Sequence, residues 1–386
     1  MGFRAGSNSR SQAIALLAAG AGGIVVIGLI LALVRPAPVS APTATPSASL
    51  PTPPPTPTQV TVPLDVAAAV NLGPHPVSAM AVSNGEVWLA TQGATAGASG
   101  MLFRVDSATA RTTANWSVGG APVAVAASGD FVWVANGSGT TSVTPPGHDT
   151  VEQFDTTTGA LVHRYEVSDP QGLVANPTSA MVVAANSAQV TSISLLSAGT
   201  TTPVTTLPGV LSPPVSSLSP EVAVSVCSGR VFLALTRVVP GASNVTIYSL
   251  PPEGGTVRKV VTVPFDYEAS TACDSTSVFL IGAAGDGDAS IARVSVADGS
   301  VTDLWEGPYP VAVAFLSGRV WIAYSDDVLN ESALTSLDPA TGIAMKTRSI
   351  LPAPSSDGNP NLLIPGDSGL WLVASQGNLL LHVATG

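Results

Sequence analysis

The side chains most able to do chemistry in this chain are four histidines and a scattered set of acids and tyrosines. No two histidines show the HxH or HExxH spacing that brings two imidazoles onto one metal ion. The chain also lacks the GxSxG turn of a serine hydrolase and the GxxxxGK[ST] loop that cradles phosphates. Local motifs therefore predict neither a zinc site, nor a nucleotide site, nor a nucleophilic serine.

One short segment, GAAGDGDAS at residues 282–290, places Asp286 and Asp288 on either side of a glycine. Two such carboxylates offer oxygen ligands for Ca²⁺, but a calcium loop needs further acids and a bidentate Glu, and the segment has neither. We therefore interpret the segment as a hairpin tip. We expect no metal and no cofactor, with a divalent cation as the alternative that stays open.

The chain contains a repeat, because it aligns with itself at seven places. The repeated structural unit must position the residues named above. Each copy carries a large apolar anchor inside a strand pattern such as FVWVAN. The anchors are Trp88, Trp133, Val183, Phe232, Phe279, Trp321 and Trp371, at spacings of 45, 50, 49, 47, 42 and 50 residues. A period of this length, with several short strands in each period, is typical of the four-stranded blades of a β-propeller.

Several copies also share a turn that contains Asp and Gly, as in FDTTTG and LDPATG. A short carboxylate can hydrogen-bond the backbone a few residues on, and Gly can take the positive φ that a hairpin needs. We therefore predict structural turn roles for Asp106, Asp155, Asp338, Gly159 and Gly342, rather than catalytic ones.

The ends of the repeat region predict how the ring closes. The last copy stops at LLLHVATG, residues 379–386, before a fourth strand, and a strand-like segment at residues 64–73 precedes the first complete copy. If that segment supplies the missing outer strand, every sheet is complete and no open edge is left. Seven anchors then predict seven blades; six or eight stay open because Val183 is a weak anchor.

The segments FVWVAN and LDPATG, and strand starts such as APVAVAA, resemble the bacterial YVTN-type seven-bladed β-propeller repeats over residues 64–386. The resemblance implies the fold and leaves the activity open, because related propellers include lyases, lactonases, quinoprotein enzymes and non-enzymatic binding or sensor domains. Lyase-like relatives use a His and a divalent metal at the mouth of the channel. Such a role would fall here on His75 or His148 with Glu268.

Functional residues of a propeller are expected in the loops that meet at one mouth of the central channel. These loops link successive blades or follow each anchor strand, and they vary in length and composition as binding loops do. The candidates are His75, His148, Asp266, Tyr267, Glu268, Asp286, Asp288, Tyr309, Asp326 and Asp327. For each acid, the competing interpretation is a solvated surface charge.

The two cysteines, Cys227 and Cys273, each precede an anchor by five or six residues, so they occupy nearly the same place in adjacent blades. In an oxidising compartment a disulfide between them is a reasonable hypothesis. The alternative is two buried thiols that behave as small apolar side chains.

Residues 13–34 are 22 consecutive residues without a charge, enough to cross a hydrocarbon core as a helix. Arg4 and Arg10 precede the run, and after Arg35 the next Lys or Arg is Arg104. This charge bias predicts a cytoplasmic segment 1–12 and an outside location for the chain beyond residue 34. A cleaved signal peptide is the competing interpretation.

Residues 35–63 form a linker whose stretch 36–58 carries nine prolines and no charge. This composition favours an extended, semi-rigid spacer between the membrane and the propeller at residues 64–386. The chain has a formal net charge of −11, and all 25 Asp and Glu lie beyond the linker. An acidic ectodomain argues against nucleic acid as a partner.

The sequence thus predicts a single-pass protein of the cell membrane with an all-β, seven-bladed ectodomain that binds an envelope protein or a cell-wall ligand, as a sensor or scaffold. A propeller enzyme of the lyase or lactonase type, working at the channel mouth, is the alternative.

Overall fold

The computed structural model describes residues 66–72, 76–93, 99–119, 121–137, 149–184, 191–207, 222–239, 242–263, 266–283, 289–307, 310–326, 331–352, 362–374 and 379–385. All of them belong to one compact unit, Thr58–Gly386. The predicted span at residues 13–34 and the linker at residues 35–63 lie outside the described ranges.

Within these ranges the chain forms 28 strands in seven sheets of four. β1 is Val66–Asn71. Blade 1 is β2 Val77–Ser83, β3 Glu86–Thr91, β4 Gly100–Asp106 and β5 Arg111–Val118. Blade 2 is β6 Ala121–Ser128, β7 Phe131–Gly137, β8 Thr150–Asp155 and β9 Leu161–Glu166. Blade 3 is β10 Pro170–Asn176, β11 Ser179–Ala184, β12 Thr191–Ser197 and β13 Thr200–Leu207. Blade 4 is β14 Val222–Cys227, β15 Arg230–Val239, β16 Ala242–Leu250 and β17 Arg258–Val263. Blade 5 is β18 Asp266–Cys273, β19 Ser277–Ala283, β20 Ala289–Ser295 and β21 Val301–Glu306. Blade 6 is β22 Pro310–Leu316, β23 Arg319–Asp326, β24 Glu331–Leu337 and β25 Ala344–Pro352. Blade 7 is β26 Leu362–Gly366, β27 Gly369–Ala374 and β28 Leu379–Ala384.

The predicted closure of the ring is confirmed. β1 pairs antiparallel with β28 and completes the sheet of blade 7, with Ala69 opposite Leu381 and Val70 opposite Leu380. The first described strand and the last therefore share one blade, and seven four-stranded blades are present. This closure pairs the edge of β28 and supplies the outer strand of blade 7.

Each anchor lies on the second strand of its blade and packs against the next blade. Trp133 on β7 is fully buried, and it contacts Leu173 and Val182 of blade 3 as well as Tyr165 of its own blade. Since a single blade cannot bury both of its faces, the repeated anchor supplies the packing between neighbours.

The predicted anchor of blade 3 is wrong by two residues. β10 and β11 pair Val174 with Met181, at the position where β6 and β7 pair Ala126 with Trp133. Met181 is therefore the equivalent of the tryptophan, and it is fully buried. The expected anchor, Val183, lies further along the same face, because side chains two residues apart on a strand point the same way.

The structural turn roles predicted for the Asp residues are confirmed. An oxygen of Asp106, Asp155 or Asp338 accepts a hydrogen bond from the amide N–H three residues on, at 2.7, 2.7 and 2.9 Å. Gly159 and Gly342 have φ values of +69° and +71°, which is the left-handed region that glycine adopts without a steric penalty. Hydrogen bonds to the ionised carboxylates lower the pKa of all three acids.

Candidate functional site

Most of the residues predicted to line the channel mouth cannot be placed by the structure. Those outside the described residues are His75, His148, Asp286, Asp288, Tyr309 and Asp327. For Asp266, Tyr267, Glu268 and Asp326 only the backbone is described, and it lies in strands β18 and β23. The expectation that these four belong to loops is therefore wrong, because strand pairing continues to the ends of these blades, as in Asp266 opposite Ala283 and Asp326 opposite Glu331.

A polar cluster in blade 2 lies at the same end of the blade as the predicted mouth loops. It consists of Asn136, Thr150, Glu152, Arg164 and the backbone N–H of Gly119. Glu152 is 1% exposed, and one of its oxygens, Oε1, accepts two hydrogen bonds from Arg164, at 3.0 and 2.6 Å. Its Oε2 accepts hydrogen bonds from Gly119 N at 2.9 Å and from Asn136 Nδ2 at 3.2 Å.

This cluster ties three parts of the fold together. Gly119 belongs to the link between blades 1 and 2, Asn136 lies near the end of β7, and Arg164 lies on the outer strand β9. A buried carboxylate is tolerated only when its lone pairs are satisfied, and Glu152 meets that condition through these partners. The arrangement suits a structural clamp better than a proton donor or acceptor.

One atom of the polar cluster has no partner. The Oδ1 of Asn136 is buried without a hydrogen bond, and Asn136 is fully buried. The amide cannot simply be reversed, because its Nδ2 must face the carboxylate of Glu152. A buried carbonyl of this kind is where an internal water would bind.

A second acidic site lies where blade 2 meets blade 3. Asp149 Oδ2 accepts a hydrogen bond from the backbone N–H of Asp169 at 2.9 Å, and Gln171 Nε2 donates to Asp169 Oδ1 at 2.7 Å. Burial, and then the neighbouring charge of Asp149, raise the pKa of Asp169. A carboxyl group whose pKa is raised in this way can carry a proton closer to neutral pH than an ordinary Asp.

A concavity in the described part of the chain lies between blades 3 and 4, and we call it the 3–4 groove. Its volume is about 810 Å³. Leu195, Val204, Tyr248 and Val257 form its floor, and the last three of these also pack on the apolar core shared by blades 3 and 4. Glu253 and Lys259 supply the only charged side chains of its described lining.

The groove arises from a departure in blade 4 from the repeated turn. Blade 2 places a tight Asp turn against the outer strand of the preceding blade: a Cβ on Gly159 would overlap the ring of Trp116. In blade 4 the corresponding link is residues 251–257, which contains no Asp. Within this link, Gly254 approaches the preceding outer strand, with Val204 Cγ2 3.2 Å from where its Cβ would be.

The inner edges of the same two blades nevertheless meet closely. A Cβ on Gly172 of β10 would lie 2.6 Å from Val224 Cγ2 of β14, so an alanine there would force the Val224 side chain to shift. Blades 3 and 4 therefore touch near the channel. The 3–4 groove opens between their outer strands, beside the link at residues 251–257.

The structure joins Cys227 at the end of β14 to Cys273 at the end of β18 in a disulfide, with their Cα atoms 5.9 Å apart. It therefore links the inner strands of blades 4 and 5. Blade 4 is bounded by the 3–4 groove on one side and by this covalent link on the other.

Two features are absent from the described part of the chain. No group of three or more His, Cys, Asp or Glu side chains there could hold a metal ion. No helix in the same ranges is long and apolar enough to cross a membrane.

The sheet topology defines the class as a seven-bladed β-propeller, and the comparisons with known proteins support the propeller fold alone. No protein-family model matches the chain, and no curated protein matches it, so the resemblance to YVTN-type repeats stays a prediction. Hydrazine synthase of Kuenenia stuttgartiensis is a similar solved structure: identity is 14%, 85% of this chain and 99% of that chain are covered, and the TM-score is 0.56.

Two further solved structures match the chain. The β-propeller domain of the Trilobed protease from Pyrococcus furiosus is 10% identical, with 81% of this chain and 96% of that chain covered and a TM-score of 0.53. BamB from Moraxella catarrhalis is 15% identical, with 80% of this chain and 85% of that chain covered and a TM-score of 0.46. At 14% and 10% identity, the likeness to hydrazine synthase and to the protease domain shows the fold alone.

Proposed function

We propose that this protein is a binding module of the cell envelope, in which the propeller holds a partner without chemistry. The observation that carries the proposal is the 3–4 groove, a solvent-open concavity of about 810 Å³ with an apolar floor and a charged rim. Its volume falls within the range of about 300–1,000 Å³ that is usual for ligand sites.

The position of the groove supports a role beyond folding. The repeat already has a way to close this space, since the turn of blade 2 packs directly onto Trp116 of blade 1. Blade 4 replaces that turn and leaves the floor side chains open to solvent. Concave surfaces that combine an apolar floor with a few polar groups on the rim suit ligand recognition.

The alternative function is a lyase or lactonase that uses the channel mouth. The observation that favours it is the pair Asp149 and Asp169, because the raised pKa of Asp169 is a property of acid–base residues. The residues on which that function would depend, His75, His148 and Glu268, have no described side chains.

The binding role can be tested by placing a photo-crosslinking amino acid in the groove of the full chain, in the cells that make it. Thr202 on β13 is exposed and lines the groove; Thr302 on β21 is an exposed threonine on another outer strand and serves as the matched control. We expect a discrete adduct, identified by mass spectrometry, from position 202 and none from position 302. Equal labelling, or none, at both positions would overturn a partner role for the groove.

We also propose that residues 13–34 anchor the protein in the membrane, with the propeller outside. The uncharged run of 22 residues supports this placement. Carbonate extraction of membranes that contain the full chain should leave the protein in the pellet, and its release into the supernatant would contradict an uncleaved anchor.

A further inference from the structure

The 3–4 groove has a rim with one charge of each sign. Glu253 lies on the link between β16 and β17, and Lys259 lies on β17; both are exposed. The ion pairs found in the described part of the chain are those of Arg104 with Glu86 and of Arg164 with Glu152, so the two rim charges do not pair with each other there. Both are available to a ligand.

The outer strand beside the groove excludes one common mode of binding. β13 reads TTTPVTTL and carries no charge, so electrostatics do not protect its outer edge. Pro203, in the middle of the strand, has no N–H, and it pairs with Ser194 next to a register shift. A partner strand therefore cannot form a continuous ladder along β13, and recognition must act through side chains.

The uncharged residues that line the groove supply those side chains. Leu195, Val204 and Val257 offer aliphatic surface to an aliphatic group. The hydroxyl groups of Thr202, Thr205 and Thr256 also line the groove and can hydrogen-bond peptide amides. A ligand with an aliphatic centre, amide groups and one charge of each sign at its ends matches all of these features.

We infer that the groove takes an extended peptide segment of a partner protein, in which a basic residue facing Glu253 and an acidic residue facing Lys259 flank an aliphatic centre. The inference rests on the proposed binding function and adds the chemistry of the partner. A segment of about five residues spans roughly 17 Å when extended. Charge complementarity selects the partner, while aliphatic contact supplies affinity.

The test measures binding of fluorescent synthetic peptides to the detergent-solubilised full chain by anisotropy. The peptides are Lys-Val-Ala-Val-Glu, which carries one charge of each sign, Lys-Val-Ala-Val-Lys and Glu-Val-Ala-Val-Glu, which carry two like charges, and the uncharged Gln-Val-Ala-Val-Gln, all with blocked ends. We expect the peptide with opposite charges to bind at least about tenfold more tightly than the other three, because only that peptide pairs both rim charges.

Charge reversal provides the decisive comparison. Glu253→Lys alone should weaken binding of Lys-Val-Ala-Val-Glu by about tenfold and shift the preference to Glu-Val-Ala-Val-Glu, and Lys259→Glu alone should weaken it similarly and shift the preference to Lys-Val-Ala-Val-Lys. Arg258→Glu and Asp303→Lys reverse exposed charges on outer strands outside the groove lining, and should leave binding within about twofold of the unaltered chain. Because all four side chains are exposed, thermal unfolding should verify that the variants remain folded.

Absence of binding by Lys-Val-Ala-Val-Glu, or a preference among the charged peptides that the two charge reversals do not shift, would overturn the inference. The crosslink at position 202 separates the two proposals. An adduct there without peptide binding overturns the peptide chemistry and leaves the binding function standing. If neither the adduct nor peptide binding is found, both the peptide chemistry and the binding function are overturned.

Discussion

The interface between blades 1 and 2 and the interface between blades 3 and 4 come from the same repeat, yet the first is closed and the second is open. At the first, Arg104 Nη1 donates to the carbonyl of Thr156 at 2.8 Å, and the turn at Gly159 packs on Trp116. At the second, the outer strands separate and leave the 3–4 groove. The difference shows that the repeat determines the position of each blade. It does not determine how closely the outer strands of neighbouring blades pack.

Polar contacts account for much of the closed interface. Glu152 bonds the N–H of Gly119 in the link from blade 1, and an arginine contact like that of Arg104 recurs between blades 5 and 6, where Arg293 donates to the carbonyl of Pro339 at 2.8 Å. In both cases the acceptor is the residue just after a turn Asp. In blade 3 the position of these arginines, opposite the anchor, is taken by Leu195, so this kind of contact has no donor at the interface with blade 4.

The largest expected effect concerns blade 4, whose other side is held by the disulfide. Cys227→Ala combined with Cys273→Ala should lower the free energy of unfolding by about 4 kcal/mol, since the link closes a loop across 46 residues. Urea unfolding monitored by circular dichroism measures the loss. A reductant should destabilise the unaltered chain and leave the double variant unchanged; equal midpoints for the two chains without reductant would contradict the prediction.

Removal of Glu152 should have the next largest effect, because it opens the closed interface. Glu152→Ala leaves Gly119 N without its acceptor and leaves the buried Nδ2 of Asn136 with only the Oγ1 of Thr150, at 3.4 Å, and should cost about 3 kcal/mol, measured by urea unfolding. The side chain of Arg164 is 53% exposed, so water stabilises its freed charge and limits the loss. Glu166→Ala, at an exposed position on β9, should change the free energy of unfolding by less than about 0.5 kcal/mol.

A glycine pair separates turn packing from backbone strain. Gly159 and Gly229 have the same φ of +69°, but a Cβ on Gly159 would overlap Trp116, whereas a Cβ on Gly229 would meet nothing within 4 Å. We expect Gly159→Ala to cost about 2–3 kcal/mol and Gly229→Ala about 1 kcal/mol, both measured by urea unfolding. Equal losses would show that the turn of blade 2 does not depend on its contact with blade 1.

The smallest expected effect is a gain in stability at the closed interface. Glu86 lies 3.9 Å from Arg104, yet burial outweighs that neighbour and raises the pKa of Glu86 above 4.5. The folded state therefore loses stability as pH rises from about 4.5 through the native pKa, because the charged form is disfavoured there.

Glu86→Gln removes that loss. The variant should be more stable than the unaltered chain at pH 7, by less than about 1 kcal/mol, and the difference should vanish toward pH 4. Thermal unfolding at a series of pH values measures it. A variant that is less stable at pH 7 would show that the pairing with Arg104 outweighs burial.

The repeat made the architecture predictable. Anchors such as Trp133 and Trp371 recur because every blade must bury its faces against its neighbours, and the Asp turns recur because every hairpin needs the same geometry. Prediction failed in blade 3, where Met181 rather than Val183 is the anchor. In the run SAMVVA, several apolar residues fit the pattern equally well, so only the pairing with β10 fixes the register.

The candidate sites were much less predictable. Sequence reasoning placed function at the channel mouth and missed both the polar cluster around Glu152 and the 3–4 groove. The signal for the groove was the turn PPEGGT in blade 4, which lacks the Asp found in the corresponding turns of blades 1, 2, 5 and 6. Glu152 and Arg164 gave a weaker signal, because charges on alternating strand positions are usually solvent-facing.

The sequence by itself determined the number of blades, the closing strand and the turns, because these depend on local periodicity and on turn chemistry that each copy carries within itself. Only the tertiary structure decided which blades close against each other and which leave a groove. That outcome depends on contacts between residues far apart in the chain, such as Gly159 with Trp116 and Gly172 with Val224, and no single repeat contains both partners.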